Sequence, residues 1–323
     1  MTSGEPRDAA AFGIAVGHAT DADGGTGLTV VRGVDGPLRA SAHLLGRASG
    51  TREVALLDPS ASNERIDAIL LTGGSAFGLD AAAGVMRWME ERGRGFPIAG
   101  GVVPIVPAAV VFDLAPLGRF DARPTAEMAY LACDAAASRD IAEGSVGAGT
   151  GCTVGKALGS LRAMKGGIGV GYAGEARGRG VMAMAVAAVN AFGHVRDLDG
   201  ALIAGPRGED GMPEDTERLI ADGRLQGARA GGHTTISVVA LNVALSKLEL
   251  HQVARAASAA YFRRIGPAGT SFDGDLVFTV APLQGAVTSL IQAETIATAA
   301  LERAIVRAVR TAKGRDGVPG LAD

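Results

Sequence analysis

Residues 231–235 have the sequence Gly-Gly-His-Thr-Thr. Two flexible glycines thus lead to two residues that carry a hydroxyl group. Residues 236–240 are apolar or β-branched except for Ser237, which is typical of a buried strand. If the chain is cut before Thr234, that residue carries both a hydroxyl and a free α-amine, and the amine can take the hydroxyl's proton. An α-amino group titrates at about 7.7–8.0, so it can act as a base near neutral pH. The stretch therefore predicts an N-terminal threonine nucleophile, with a plain turn entering a strand as the alternative.

Two further residues stand where their side chains could assist that nucleophile. Lys156 ends a glycine-rich run. A lysine held by such a loop can donate a hydrogen bond within a site, and a solvated lysine after a turn is the simpler interpretation. Asn190 ends an apolar strand predicted at residues 181–189, where a polar amide must find a partner. It either caps the turn or donates its NH₂ group to an oxyanion.

A pair of aspartates, Asp273 and Asp275, comes directly before a strand predicted at residues 276–280. Aspartates at such positions are usually turn residues. The functional interpretation is that they hold the ammonium group of a processed Thr234 or of a substrate amine. No metal is predicted, because the five histidines show no ligand spacing.

Two glycine-rich runs imitate nucleotide-binding motifs without completing them. In the run 147–156, a phosphate loop requires glycine in place of Thr150 and serine or threonine in place of Ala157. Residues 169–174 match the dinucleotide pattern G-x-G-x-x-G, but no clear helix follows them. These glycines favour tight turns and close backbone approach, so no cofactor is predicted.

Four helices are predicted around these residues. One follows a glycine-rich turn that contains Gly74 and Ser75, and we expect the backbone of this turn to pack against a site. Another opens with a capping box from Ser246 to Glu249. In chain order, the four helices span residues 79–92, 124–143, 246–264 and 285–313.

Composition excludes several classes of protein. A net charge of −3 and an aromatic content of 4% offer no surface for nucleic acid. Two cysteines do not make a disulfide framework, and the first residues lack the basic-then-apolar order of a signal peptide. The longest apolar run is too short to cross a bilayer. We therefore expect a cytoplasmic protein that binds neither membrane nor nucleic acid.

Six segments, taken in order, resemble a family that contains self-processing L-aminopeptidase/D-esterases, β-peptidyl aminopeptidases and nylon-oligomer (6-aminohexanoate-oligomer) hydrolases. The segments are residues 72–79, 110–114, 147–156, 186–193, 232–242 and 272–278. The resemblance implies an α+β fold, a four-layer αββα sandwich of the N-terminal-nucleophile type. It implies a single domain over residues 1–323 that cuts itself into fragments 1–233 and 234–323, which stay together. It also implies a homo-oligomer, a tetramer or larger.

The resemblance also implies a role for each polar candidate. Thr234 corresponds to the nucleophile, and Lys156 corresponds to a lysine that contacts it. Asn190 corresponds to the oxyanion-hole amide, and Asp273 and Asp275 correspond to an acidic pair that orients the amine.

Two positions depart from the family. Similar members carry asparagine before the cut, where this chain has His233, whose imidazole is a candidate base. Several members carry tyrosine where this chain has Phe112, which lacks the hydroxyl. We therefore expect Phe112 only to line the substrate pocket, together with Gly74 and Ser75.

The sequence thus predicts a threonine amidase that acts through an acyl-enzyme and requires no metal. The substrates implied by the resemblance are small peptides, amino-acid amides, β-peptides and 6-aminohexanoate (nylon) oligomers. Three alternatives stay open: an acyltransferase of the ornithine-acetyltransferase type, an uncleaved inactive scaffold or binding protein, and a nucleotide-binding enzyme.

Overall fold

The fold was obtained as a computed structural model that describes residues 8–174, 180–226 and 232–323. In chain order its strands are β1 (Ile14–Asp21), β2 (Thr26–Gly33), β3 (Arg39–Leu44), β4 (Thr51–Arg52), β5 (Ala68–Thr72), β6 (Phe96–Ile98), β7 (Gly101–Val103), β8 (Ala108–Val110), β9 (Thr153–Val154), β10 (Met164–Lys165), β11 (Gly167–Gly174), β12 (Met182–Asn190), β13 (His194–Arg196), β14 (Leu202–Ala204), β15 (Thr234–Leu241), β16 (Ile265–Gly266) and β17 (Leu276–Ala281). The helices are α1 (Ala82–Glu90), α2 (Ala126–Asp134), α3 (Thr216–Ala221), α4 (Lys247–Ala257), α5 (Ala259–Arg264) and α6 (Leu290–Arg310).

Two five-stranded sheets form the centre of the molecule. The first has the order β1-β2-β5-β8-β4, and the second has the order β11-β12-β15-β17-β3. Strand β15 is the middle strand of the second sheet, antiparallel to β12 and parallel to β17. The strand predicted after the threonine pair is therefore confirmed, and Thr234 is its first residue.

Helices cover the outer face of each sheet. Helices α1 and α2 pack on the first sheet, and α4, α5 and α6 pack on the second. The space between the sheets is filled by alternate residues of the strands, among them Ile236 and Val238 of β15. Val239 and Leu241 of the same strand point the other way, toward the outer helices. The predicted four-layer αββα sandwich is confirmed.

The run that matches a dinucleotide motif is part of helix packing. Gly169 and Gly171 lie in β11, directly under α6. A Cβ atom at these positions would come within 2.2 Å of the Ala304 carbonyl oxygen and 2.1 Å of the Ala300 carbonyl oxygen. Glycine is therefore what lets the helix cross the strand so closely.

The predicted helices exist, but several end elsewhere. The capping box at Ser246 is present, and α4 and α5 together reach the predicted end. The prediction of one helix over 124–143 is wrong, because α2 ends at Asp134 and Ala137 then pairs with Val16 of β1. The helix predicted at 79–92 begins as a 3₁₀ segment, and α6 is shorter at both ends than predicted.

Candidate active site

The peptide bond between His233 and Thr234 is buried where β15 begins. Each of these residues is only 6% exposed. The Thr234 hydroxyl donates a hydrogen bond to the His233 carbonyl oxygen at 2.5 Å, and the backbone N–H of Gly274 donates to the same oxygen at 2.9 Å. The carbonyl therefore faces a hydroxyl group and is polarised by a backbone donor.

Asn190 lies opposite the first residue of β15 in the β12–β15 register, and its side chain is fully buried. Its Oδ1 atom accepts hydrogen bonds from the Thr153 N–H at 3.0 Å and from Lys156 Nζ at 2.8 Å. These two donors fix the orientation of the amide. Its NH₂ group consequently donates to the carbonyl oxygens of Phe112 at 3.0 Å and Gly232 at 3.4 Å. The amide donor therefore faces the segment just before the His233–Thr234 peptide bond.

Lys156 is a buried member of this cluster. Besides Oδ1 of Asn190, its Nζ atom donates to the Asn190 carbonyl at 2.9 Å and to the Gly232 carbonyl at 3.2 Å. Burial lowers the pKa of the ammonium group to about 7. The interpretation of a solvated lysine after a turn is therefore wrong, and Lys156 holds Asn190 and the Gly232 carbonyl in one arrangement.

Asp273 and Asp275 lie on either side of Gly274. The Asp275 carboxylate accepts hydrogen bonds from the backbone N–H groups of Thr235 at 2.6 Å and Gly269 at 2.9 Å. The Asp273 carboxylate accepts hydrogen bonds from the N–H and the hydroxyl of Thr270. Burial raises the pKa of both carboxyl groups, and the neighbouring Asp273 raises that of Asp275 further. In the uncut chain these groups bind backbone donors, so their role toward an amine stays a prediction.

A loop at residues 45–49, which sequence analysis missed, holds this acidic segment in place. Its first four N–H groups donate to the carbonyl oxygens of Asp273 and Asp275, and the Ser49 hydroxyl donates to the Gly274 carbonyl at 3.0 Å. The loop thereby fixes the peptide unit whose N–H donates to the His233 carbonyl oxygen. No motif marks these residues, since the partners lie more than 200 positions apart in the chain.

The turn at Gly74 and Ser75 supports the site indirectly. Both residues have left-handed backbone angles, with φ of 77° and 52°. The Gly74 N–H donates to the Asp113 carboxylate at 2.6 Å, and the Ser75 N–H donates to the Val111 carbonyl at 3.0 Å. The turn therefore holds the segment whose middle residue, Phe112, accepts the hydrogen bond of the Asn190 amide.

One cluster within the described ranges has the residue types of a metal site. His194, Asp215 and Glu217 offer ligand atoms within 4.8 Å of one another. However, the Thr216 N–H donates to Nδ1 of His194 at 3.0 Å, which places the ring proton on Nε2. A ring that binds a metal needs a free lone pair, and this tautomer provides none. The arrangement disfavours a metal there.

Nearly the whole chain matches one known protein family. A profile described as "Peptidase family S58" matches residues 11–322. The chain belongs to this family. As a member of peptidase family S58, it is a hydrolase that acts on amide bonds.

Individual proteins are also similar to this chain. A Mycobacterium tuberculosis protein named an uncharacterized aminopeptidase is 39% identical, over 96% of this chain and 95% of its own length. The 6-aminohexanoate-oligomer endohydrolase of a Kocuria species is 29% identical, over 83% of this chain and 72% of its own length. The L-aminopeptidase D-Ala-esterase/amidase of Ochrobactrum anthropi, whose structure is described as a variant of the Ntn-hydrolase fold, superposes with a TM-score of 0.70 at 19% identity, covering 97% of this chain and 88% of that one. This superposition supports the fold.

Proposed function

We propose that this protein is a self-processing amidase whose nucleophile is Thr234. The observation that carries the proposal is the pair of hydrogen bonds to the His233 carbonyl oxygen, from the Thr234 hydroxyl and from the Gly274 N–H. A hydroxyl held against the preceding carbonyl is well placed to attack that peptide bond. A backbone donor on the oxygen stabilises the negative charge that develops there.

Self-cleavage takes place in two steps. The Thr234 hydroxyl oxygen attacks the His233 carbonyl carbon, the C–N bond breaks, and the Thr234 nitrogen gains the hydroxyl proton. Water then hydrolyses the resulting ester, so that residues 1–233 end in a carboxylate and residues 234–323 begin with a free amine. Burial and the neighbouring Asp273 raise the pKa of Asp275 to about 7, which suits this carboxyl group to pass protons near neutral pH.

Turnover uses the new amine. The Thr234 amine takes the proton from its own hydroxyl, whose oxygen attacks the carbonyl carbon of the substrate amide. The C–N bond of the substrate breaks, the leaving amine takes that proton, and an acyl-enzyme remains, which water hydrolyses to a free acid and the Thr234 hydroxyl. When the new chain end moves away, the Asn190 amide loses the Gly232 carbonyl as an acceptor and becomes available to the substrate oxyanion. While the Thr234 amine carries that proton, Asp273 and Asp275 stabilise the resulting ammonium group.

The names of the relatives indicate the substrate range. The mycobacterial relative is named an aminopeptidase, and the Kocuria relative is named for 6-aminohexanoate oligomers. For this chain we propose small peptides, amino-acid amides, β-peptides or 6-aminohexanoate oligomers. The test is to incubate the purified protein with these amides, with and without an added amine acceptor. Free acid as the main product supports hydrolysis, whereas transfer to the acceptor would favour an acyltransferase, and an uncut, inactive chain would favour a scaffold.

We further propose a homo-oligomer, a tetramer or larger, in the cytoplasm. The β6–β7 hairpin exposes Phe96, Ile98 and Val103, and the chain at the start of α6 exposes Val287 and Ile291. Apolar surface of this kind suits contact with another copy of the chain. Both cysteines are free thiols, as is usual in a reducing compartment. Among the described residues, no helix is both long and apolar enough to cross a membrane.

Gly46→Ala is expected to leave most of the protein uncut. A Cβ atom at Gly46 would lie 2.3 Å from the Asp273 carbonyl oxygen and 2.4 Å from the Asp275 nitrogen, so the acidic segment has to move. Misplacement by about 1 Å can slow such a reaction on the order of 10²-fold. Gly36→Ala is the matched control, since nothing lies within 4 Å of its Cβ position. Cleavage of both variants at the wild-type rate, followed on denaturing gels, would remove the loop from the mechanism.

Lys156 is expected to make the stability of the uncut chain depend on pH. Burial lowers its pKa from 10.5 to about 7 in the folded protein, so the unfolded chain binds more protons between these values. The Lys156 contribution to the free energy of unfolding therefore rises from about pH 7 to about pH 10, by on the order of a few kcal/mol. Denaturant titrations of Thr234→Ala, with and without Lys156→Met, measure it. The same pH dependence in both variants would contradict the expectation.

A further inference from the structure

Three phenylalanine rings lie around the two residues that precede the scissile bond. The His233 ring packs on Phe192, with ring centroids 4.9 Å apart and planes at 53°. Phe272 adjoins the same phenylalanine, with centroids 5.9 Å apart. The Phe112 ring lies beside Gly232, where a Cβ atom would be 3.9 Å from Phe112 Cδ1. The chain before the cut therefore lies in an aromatic environment.

The ring that His233 contacts is held rigidly. Phe192 is 2% exposed and packs with Ala157, Leu158 and Leu219 in a small apolar cluster. It follows Asn190 by two positions, so the amide donor and the aromatic surface come from one short segment. Phe272 directly precedes the acidic segment and is partly exposed. The Phe192 ring is thus buried and fixed, and the Phe272 ring lies beside it, partly exposed to solvent.

The position of His233 in the uncut chain is also the position of a substrate's acyl residue. Self-cleavage and turnover both pass through an ester of the same oxygen, the Thr234 hydroxyl oxygen. In the first ester the acyl group is His233, and in the second it is the acyl residue of the substrate. Once His233 is a free chain end and leaves, the incoming residue brings its own side chain against Phe192. This step rests on the proposed function.

We propose that Phe192 and Phe272 form an aromatic subsite for the side chain of the acyl residue. The substrates it fits are small peptides or amides whose acyl residue carries an aromatic or imidazole group, in preference to linear 6-aminohexanoate oligomers. Aromatic side chains gain from ring-to-ring contact beyond the burial of their area. An unbranched aminohexanoyl chain has no ring to place there.

The experiment uses the processed enzyme and a panel of p-nitroanilides. We expect kcat/KM for the phenylalanyl and histidyl compounds to exceed that for the alanyl compound by at least about tenfold, a usual size for pocket selectivity. We expect Phe192→Leu, which keeps an apolar side chain but removes the ring, to lose most of this ratio. Phe272→Leu, on the partly exposed ring, gives the same test if Phe192→Leu does not fold. Phe262→Leu, on the surface of α5, is the control and should keep the ratio.

The possible failures can be told apart. An uncut chain that hydrolyses no compound would overturn the proposed function, and the subsite with it. An enzyme that cuts itself and hydrolyses amides, but favours alanyl over phenylalanyl compounds or favours the linear 6-aminohexanoate dimer, would overturn the subsite alone. The subsite would also be overturned if the ratio of kcat/KM for the phenylalanyl and alanyl compounds stayed unchanged in both Phe192→Leu and Phe272→Leu.

Discussion

Thr234→Ala is expected to be purified as a single uncut chain without amide hydrolysis. The substitution removes the oxygen that lies 2.5 Å from the His233 carbonyl oxygen, so neither the ester of self-cleavage nor the acyl-enzyme can form. In a serine protease, removal of the nucleophilic hydroxyl lowers kcat on the order of 10⁶-fold, and we expect a loss of this size here. A denaturing gel and an amide-hydrolysis assay on one preparation measure both effects.

Two controls assign the effect to this hydroxyl. Thr234→Ser keeps an attacking oxygen, and Thr235→Ala removes the neighbouring hydroxyl, whose oxygen is buried. We expect both variants to cut themselves. If Thr234→Ala is still cut at the same bond, a different group performs the attack.

Asn190→Asp is expected to cut itself and to lose turnover by about 10²–10³-fold, the usual cost of an oxyanion donor. Aspartate keeps the oxygen that accepts from the Thr153 N–H and Lys156, but it lacks the NH₂ group. Self-cleavage should persist because the His233 carbonyl is polarised by the Gly274 N–H. The measurement compares kcat with the fraction of cut chain.

Asn242→Asp is a matched control from the other end of the same strand pair. The Asn242 side chain also accepts from a backbone N–H, that of Met182 at 2.7 Å, and donates to a backbone carbonyl, that of Gly180 at 3.1 Å. It directly follows Leu241, the last residue of β15, at the opposite end of the strand from Thr234, so we expect its loss to spare kcat. Full activity of Asn190→Asp, or an equal loss in both variants, would remove the oxyanion role.

Local signals in the sequence predict the strand that begins with Thr234 and the helix that follows it in the chain. The β-branched run after Thr234 marks β15, and the capping box at Ser246 marks the start of α4. Both depend on residues a few positions apart, which is the distance over which periodicity and capping act. The apolar residues on both faces of β15 require cover on each side, whereas the αββα order of the layers was implied by the resemblance to the family.

The loop at residues 45–49, which holds the Gly274 peptide unit in place, could not be predicted, because its partners lie in a distant segment. The Ser49 hydroxyl and the Gly274 carbonyl are separated by 225 positions, and only the pairing of β3 with β17 brings them together. The early end of α2 has the same origin, since a bridge from Ala137 to Val16 replaces the last predicted turns. Such pairings leave no periodic signal in either segment.

The burial of Lys156 could not be predicted from the residues around it in the sequence. Lysine is almost never fully buried unless it is paired, so a solvated side chain is the default expectation after a glycine-rich turn. Here the oxygens of Asn190 and Gly232 take its three hydrogen bonds. The resemblance to a family pointed to this lysine, whereas the spacing of residues around it did not.

N-terminal sequencing combined with intact-mass analysis of active enzyme tests the central claim most directly. We expect two chains, residues 1–233 and 234–323, with Thr234 as the first residue of the smaller one in every preparation that hydrolyses amides. Active enzyme in which residue 234 never becomes a chain start would contradict the claim.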